Sequence, residues 1–182
     1  KKQKESHEKT KLRDVALLTL LLGTGMRVSE CVGININDVD FDNGCVKIMR
    51  KGHKEDIVYF GDEVEAALKE YIEHRAEIFK PIEEDADALF ISSKNRRISV
   101  RAVELLVKKY AMLTTTVKHI TPHKLRSTYG TQLYKETGDI YLVADVLGHK
   151  DVNTTKKHYA AIDDERRLKI RNAVQLREKD GQ

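Results

Sequence analysis

Proline, cysteine and tryptophan are scarce in this sequence. The 182 residues include 2 Pro, 2 Cys and no Trp. Because few prolines and only 10 glycines interrupt the chain, long helices are expected. Cys31 and Cys45 show neither the paired spacing of a metal site nor that of a redox motif, which excludes a zinc ribbon or a disulfide scaffold. A reducing, cytoplasmic compartment fits this cysteine usage best.

Long apolar runs are also missing. The longest apolar block, residues 15–22, contains Thr19 and is far shorter than the roughly 20 residues that cross a bilayer. The lysine-rich start lacks the apolar region of a signal peptide. No membrane partner is therefore expected. With 40% hydrophobic and 34% charged residues, the composition is that of a soluble globular domain of ordinary size.

Neither sign of charge dominates, since 33 Lys and Arg oppose 29 Asp and Glu for a formal net charge of +4. This balance alone does not indicate a nucleic-acid partner. The basic residues nevertheless gather in three clusters, within residues 47–54, 94–101 and 150–157. These clusters either form one phosphate-facing surface or belong to a solvated exterior with many ion pairs.

Hydrophobic periodicity predicts a mainly α domain with a small three-stranded antiparallel β-sheet. A period of two and the turn sequence Asp42-Asn43-Gly44 predict the sheet between residues 39 and 60. Residues 1–9 are polar and aperiodic, and we expect them to be a linker or the edge of the domain. A short strand is predicted at residues 89–91. Helices are predicted over residues 12–22 (ended by Gly23 and Gly25), 27–32, 62–79, 99–110, 121–135, 140–147, 154–159 and 163–176.

Two segments in the first half carry residues suited to phosphate chemistry. Arg27 lies at a helix entrance after two glycines, where its guanidinium can match two phosphate oxygens. Glu30 follows on the same helical face and could orient a neighbouring group, although a simple surface ion pair with Arg27 remains open. Lys51 lies at a hairpin tip, where it could donate a proton to a leaving oxygen or be basic only because it is exposed.

Two further segments lie in the second half. His123 and Arg126 share one face in the first turn of a helix that Pro122 begins, and a helix N-terminus favours anions. A metal site of His119 with His123 is disfavoured, because no carboxylate or cysteine nearby completes the shell. His149 follows the glycine that ends a helix, and Tyr159 lies within reach of the same point. A core tyrosine on an amphipathic helix is the alternative.

Taken in chain order, these residues read Arg, Lys, His-x-x-Arg, Leu-Gly-His and Tyr, which resembles the tyrosine recombinase (phage integrase) family. The resemblance covers nearly the whole chain, from the first helix to beyond Tyr159. It implies the catalytic-domain fold of the DNA breaking-rejoining enzymes for residues 10–182. It also implies that the family's N-terminal core-binding domain, which closes around DNA, is absent from this chain.

The resemblance further implies a site-specific DNA recombinase or integrase that cleaves and rejoins strands through a 3′-phosphotyrosyl intermediate, in DNA integration or excision. No metal or other cofactor would be needed. Tyr159, which no other tyrosine follows, would be the nucleophile and His123 would assist it. Lys51 would be the general acid. The scissile phosphate would be bound by Arg27 and Arg126, supported by His149, in a site that Glu30 helps to organise.

The partners implied by the resemblance are double-stranded DNA and further copies of the chain. A tetramer is expected on synapsed DNA and a monomer in free solution, with accessory DNA-bending or directionality proteins as possible additions. Three other functions compete with this one, and one of them, a soluble interaction domain, would leave the ordered set of polar residues unexplained. A type IB topoisomerase would reseal the same strand with the same residues, and a plain DNA-binding module would carry an inactive site.

Overall fold

The computed structural model describes residues 2–114, 119–153, 155–157, 159 and 162, with side chains from residue 10 onward. The chain divides after Tyr129 into two compact units, residues 1–129 and residues 130–182. The described helices are α1 (Lys2–Thr24), α2 (Val28–Gly33), α3 (Asp62–Ile78), α4 (Val100–Thr114), α5 (Pro122–Thr137) and α6 (Ile140–Val146). The strands are β1 (Val39–Asp40), β2 (Cys45–Arg50) and β3 (Lys54–Tyr59). The predicted fold class, mainly α with a three-stranded antiparallel sheet, is confirmed.

The sheet of the first unit is the predicted meander, with strand order β1-β2-β3 and both pairs antiparallel. The first turn forms because Oδ1 of Asp40 accepts hydrogen bonds from the amides of Asp42 and Asn43, both at 3.0 Å. Gly44 then takes a φ of 60°, which a side chain would resist. Alternation along β2 places Val46 and Ile48 on the core face of the sheet.

The core of the first unit lies between α1, α3, α4 and the sheet. Helices α1 and α3 pack directly against each other. Where Gly23 of α1 faces α3, an added β-carbon would lie 2.5 Å from Cγ2 of Val64. The missing side chain of Gly23 thus permits close packing against α3 and does not end α1. The helix continues through Gly23, contrary to prediction, and ends before Gly25, whose φ is 64°. The largest fully buried side chains of this unit are those of Leu17, Leu20, Leu21, Ile34, Val46, Leu68, Tyr71, Leu89, Phe90, Ile91 and Val103.

The strand predicted at residues 89–91 is wrong. This segment is buried, but it forms only an isolated bridge between Ile91 and Arg97. The carbonyl of Phe90 accepts from the backbone amide of Ile98 at 2.9 Å, whereas those of Leu89 and Ile91 accept from side chains. The carbonyl of Leu89 accepts from the hydroxyl of Tyr71 at 2.9 Å, and that of Ile91 accepts from Arg13 at 2.9 Å. An apolar run indicates burial but cannot indicate which donors its backbone will meet.

The chain edges differ in part from the prediction. Residues 2–9 belong to helix α1, so the segment expected as a linker is helical where the structure describes it. Its role as a linker stays a prediction. Of the helix predicted at residues 154–159, residues 155–157 and 159 are helical, whereas Thr154 and His158 lie outside the described residues. The helix predicted at residues 163–176 also lies outside them.

The second unit consists of the last part of α5, helix α6 and the residues that follow. Asp139 caps α6, because its Oδ1 accepts hydrogen bonds from the amides of Tyr141 and Leu142 at 2.9 and 3.0 Å. Buried residues of this unit include Tyr134, Val143 and Leu147. None of the helices in the described ranges of either unit has both the length and the apolar character needed to cross a bilayer.

Candidate active site

Arg27 and Glu30 form a paired group at the start of α2. The backbone amide of Arg27 donates to Oε2 of Glu30 at 2.7 Å, and Nη1 of Arg27 donates to Oε1 of Glu30 at 2.9 Å. Glu30 is almost fully buried, whereas the side chain of Arg27 is 39% exposed. The buried carboxylate thus holds one side of the Arg27 guanidinium, and the side chain still reaches the surface. Such an arginine can bind an anion without losing its orientation.

Arg126 approaches the same segment from helix α5. Arg126 as a residue is only 6% exposed, and its Nη1 donates to the carbonyl of Gly25 at 2.6 Å. Gly25 lies two residues before Arg27, so the first unit brings both predicted phosphate-binding arginines to one short turn. The positive φ of Gly25 shapes that turn.

His123 lies in the first turn of α5, on the helix that also carries Arg126. The helix begins as the sequence predicts, because Oγ1 of Thr121 accepts a hydrogen bond from the amide of Lys124 at 3.2 Å. Pro122 is the first helical residue and is buried. The side chain of His123 is exposed. The first unit therefore presents an accessible imidazole one turn from a buried arginine.

Lys51 lies at the tip of the β2–β3 hairpin and is exposed. Arg50 pairs with Lys54 in the sheet register, so the loop between them has three residues. Gly52 and His53 take positive φ angles of 89° and 56°, which close this short loop. Lys51 thus directly follows the last residue of β2.

His149 is placed by the end of α6 in the second unit. Gly148 takes a φ of 62°, and the amide of His149 donates to the carbonyl of Ala144 at 2.8 Å, the pattern of a Schellman helix end. Nδ1 of His149 lies 2.9 Å from Oγ1 of Thr155, which is buried. This bond engages Nδ1 and fixes the orientation of the imidazole ring.

Tyr159 is also in the second unit and is only 3% exposed. Its ring lies against that of Tyr134, with centroids 5.2 Å apart and an interplanar angle of 42°. Gly130 on α5 leaves the space that the hydroxyl of Tyr159 occupies, since a β-carbon there would overlap it. The hydroxyl is therefore covered by its own unit in this conformation.

Each unit contains one further side chain that contacts a candidate residue, although no sequence pattern predicts it as a site residue. Arg50 bonds to Glu30 and Asp56, and Thr155 bonds to His149. Arg50 stands out in the sequence only as a member of a basic cluster, and Thr155 only as one of a pair of threonines. Both contacts depend on how separate elements pack, which local spacing does not record.

The acidic and imidazole groups do not form a metal cluster within the part of the chain that the structure describes. No group of three or more His, Cys, Asp or Glu side chains there could hold an ion. Asp56, the acidic partner of Arg50, has a lowered pKa. Partial burial alone would raise it, but the hydrogen bonds from Arg50 and the Ile57 amide, together with the charges of Arg50 and Lys54, outweigh that effect.

Solved structures with the same fold identify the class of protein to which this fold belongs. The crystal structure of XerA recombinase superposes with a TM-score of 0.78 and 28% identity, over 92% of this chain and 62% of that one. XerH recombinase bound to its palindromic difH substrate, in a post-cleavage complex, superposes with a TM-score of 0.75 and 25% identity. The match covers 91% of this chain and 47% of the XerH chain. A lambda integrase dimer on a core site shares the fold, with a TM-score of 0.58 and 17% identity. The fold is therefore that of a recombinase catalytic domain.

The family follows from the sequence match. The model of the phage integrase family matches residues 2–166, and the chain belongs to this family, the tyrosine recombinases. Among curated relatives, tyrosine recombinase XerC of Corynebacterium glutamicum is 37% identical over 172 residues, covering 94% of this chain and 54% of the relative. Tyrosine recombinase XerD of Neisseria meningitidis serogroup B is 42% identical over 146 residues, covering 80% and 49%. The chain spans about half the length of these relatives.

Proposed function

We propose that this chain is the catalytic domain of a site-specific DNA recombinase, with Tyr159 as nucleophile and Arg27 and Arg126 as the phosphate-binding pair. The observation that carries the proposal is the bond from Arg126 to the carbonyl of Gly25, two residues before Arg27. It brings one buried and one half-exposed guanidinium to a single turn. Two fixed cations of this kind suit a phosphodiester whose charge grows on its non-bridging oxygens during transfer.

The reaction proposed for this site is a transesterification. The hydroxyl oxygen of Tyr159 attacks the phosphorus and gives up its proton, for which His123 is the accepting group. The bond to the bridging 5′ oxygen breaks, and Lys51 supplies the proton that this oxygen needs. The product is a 3′-phosphotyrosyl linkage and a free 5′ hydroxyl. Attack by the 5′ hydroxyl of another strand reverses the step and completes the exchange.

The proposed substrate is double-stranded DNA, and the active assembly contains several copies of the chain. The XerH complexes with difH DNA support the first statement by similarity. The lambda integrase that shares the fold is a dimer on its core site. The integrase of transposon Tn1549, in complex with circular intermediate DNA, superposes with a TM-score of 0.68 and 27% identity. Movement of a genetic element is thus one proposed context, beside the recombination of the XerC and XerD relatives.

The test is covalent capture on nicked duplexes whose flanking sequence is randomised. A nick just beyond the scissile bond lets the short 5′-hydroxyl strand diffuse away, so the protein stays attached. Denaturant-resistant adducts are isolated, their DNA is sequenced and the modified peptide is mapped. We expect attachment at Tyr159 and complete loss of adduct with Tyr159→Phe. Tyr141→Phe, which alters an exposed tyrosine of the same unit, is the matched control and retains the adduct.

Attachment at a different tyrosine, or DNA binding without any adduct from the unaltered chain, would refute this function. Recombination is then separated from resealing by supplying a second duplex with a labelled 5′ hydroxyl. Transfer of the adducted strand to the second duplex is expected of a recombinase. Rejoining only to the original strand would instead identify a topoisomerase.

A further inference from the structure

Arg50 connects the hairpin that carries Lys51 to helix α2, which follows directly after Arg27. Its Nη1 lies 3.4 Å from Oε1 of Glu30, the same oxygen that accepts from Arg27, and its Nε donates to Oδ2 of Asp56 at 2.5 Å. The Arg50 side chain is only 11% exposed. A single guanidinium thus joins the end of β2 to a carboxylate on α2 and to another on β3.

The position of Arg50 in the sheet explains why it can make these contacts. Along β2, Ile48 and Arg50 point to the same face of the sheet, and in β3 Asp56 lies opposite Ile48. Arg50 therefore continues the core-facing row at the point where the apolar residues end. Its charge meets the buried carboxylate of Glu30 there instead of solvent.

We propose that Arg50 is a positioning residue that fixes Lys51, the next residue along the chain, relative to the phosphate-binding Arg27. The inference rests on the proposed function and adds to it a residue that does not touch the substrate itself. Lys51 lies in the turn between β2 and β3, directly after the last residue of β2, so its distance from α2 depends on where β2 ends. The bond between Arg50 and Glu30 sets that distance.

Charge balance supports a positioning role rather than a direct contact with DNA. Within this group of four side chains, Arg50 has Asp56 and a share of Glu30 as acidic partners, and its guanidinium is mostly buried. Arg27 shares Glu30 with Arg50, and the side chain of Arg27 is far more exposed, at 39% against 11%. The positive charge that faces a phosphate is therefore that of Arg27. Arg50 supplies a second positive charge next to Glu30, so the carboxylate is not neutralised by Arg27 alone.

The first measurement is hydrogen exchange of the intact chain, which needs no DNA. Arg50→Met keeps the aliphatic part of the side chain but removes both ion pairs. We expect the backbone amides of residues 51–54 to exchange about tenfold faster, because a buried charged hydrogen bond is lost. Arg50→Lys, which can reach one carboxylate but not both, should give a smaller increase. Lys69→Met, which removes an exposed ion pair with Glu65 in the same unit, is the control without effect.

The second measurement is cleavage of the DNA captured in the test of the proposed function, made with either oxygen or sulfur at the bridging 5′ position. A departing thiolate needs no proton, since a thiol ionises near about 8.5. If Arg50 acts through Lys51, Arg50→Met should lose about tenfold to a hundredfold on oxygen DNA and regain most of it on sulfur DNA. Lys51→Ala should show the same recovery and Arg27→Ala none.

Unchanged exchange of residues 51–54 in Arg50→Met would overturn the inference. So would a cleavage defect equally large on oxygen and sulfur DNA, since that pattern assigns Arg50 to the phosphate-binding arginines. Absence of any adduct from the unaltered chain refutes the proposed function instead. The exchange result then still decides whether Arg50 holds the hairpin.

Discussion

Gly130 leaves open the space that the hydroxyl of Tyr159 occupies, so a single missing β-carbon on α5 determines where the proposed nucleophile rests. The Tyr159 ring is further held against Tyr134 and is almost completely buried. A hydroxyl covered in this way cannot attack a phosphodiester in solution. In the proposed reaction, the Tyr159 side chain therefore has to turn out of its unit before the cleavage step.

We expect Gly130→Ala to displace the Tyr159 ring. The added methyl overlaps the hydroxyl, and crowding of this kind costs about 1–3 kcal/mol of unfolding free energy. Nitration of Tyr159 by tetranitromethane, followed by peptide mapping, should increase, and the thermal midpoint should fall. Gly33→Ala is the matched control, because a β-carbon there meets nothing within 4 Å. Equal nitration of Tyr159 in both variants and the unaltered chain would contradict the expectation.

Thr155→Val should impair His149 without changing the shape of the site. Valine has nearly the volume of threonine but cannot bond to Nδ1, which lies 2.9 Å from the Thr155 hydroxyl. We expect cleavage to fall by about fivefold, the value of one ordinary hydrogen bond. The ¹⁵N shifts of the His149 ring should show a mixture of tautomers in place of one. Thr155→Ser restores the hydroxyl and should restore both properties; a serine variant as poor as the valine variant would argue against this role.

Arg126→Lys should reduce cleavage by about a hundredfold to a thousandfold, as expected when a fixed donor to a developing charge is lost. Lysine cannot bond to the Gly25 carbonyl and to two phosphate oxygens at once. Single-turnover adduct formation at saturating DNA measures this loss. Lys124→Arg, an exposed change on the same helix, serves as the control. Cleavage that survives Arg126→Lys at a normal rate would remove Arg126 from the phosphate site.

Local signals in the sequence were sufficient to predict the helices and turns that carry the candidate site residues. Asp42-Asn43-Gly44 specifies its turn through the Asp40 side chain, and Thr121-Pro122 specifies the start of α5, because each motif meets its own backbone partners. Gly148 likewise ends α6 and places His149. Each motif acts within a few residues, so the spacing of the catalytic candidates could be read from the sequence before any packing was known.

Contacts between distant segments could not be predicted in the same way. Arg50 meets Glu30 from 20 residues away, and Arg13 meets the carbonyl of Ile91 from 78 residues away. The buried, non-strand conformation of residues 89–91 depends on such donors. The charged residues 2–9 show no apolar stripe, yet they continue a helix whose later turns are packed. Periodicity detects only faces that are buried, so it misses this extension.

The ion pair between Arg50 and Asp56 should resist mild acid. The folded-state pKa of Asp56 lies below its usual range, so Asp56 contributes stability that is fully present above the unfolded pKa, about 3.9. That contribution is lost only as the pH falls further, through the folded-state pKa. The unfolding free energy of the chain minus that of Asp56→Asn, measured against pH, should be constant near neutrality and decrease below about pH 4. A difference that already declines between pH 7 and 5 would contradict the assignment.

Lys51→Ala should separate proton donation from phosphate binding. On ordinary DNA the departing 5′ oxygen is strongly basic, so loss of its proton donor should lower cleavage by about a hundredfold or more. Sulfur at the bridging position removes the need for the proton, and the variant should then cleave at close to the normal rate. Arg27→Ala acts on the non-bridging oxygens and should remain defective on both substrates. His53→Ala, at the same hairpin tip, tests whether any change in this loop has the same effect. Recovery of Lys51→Ala and Arg27→Ala alike, or of neither, would show that Lys51 only contacts DNA and that another group donates the proton.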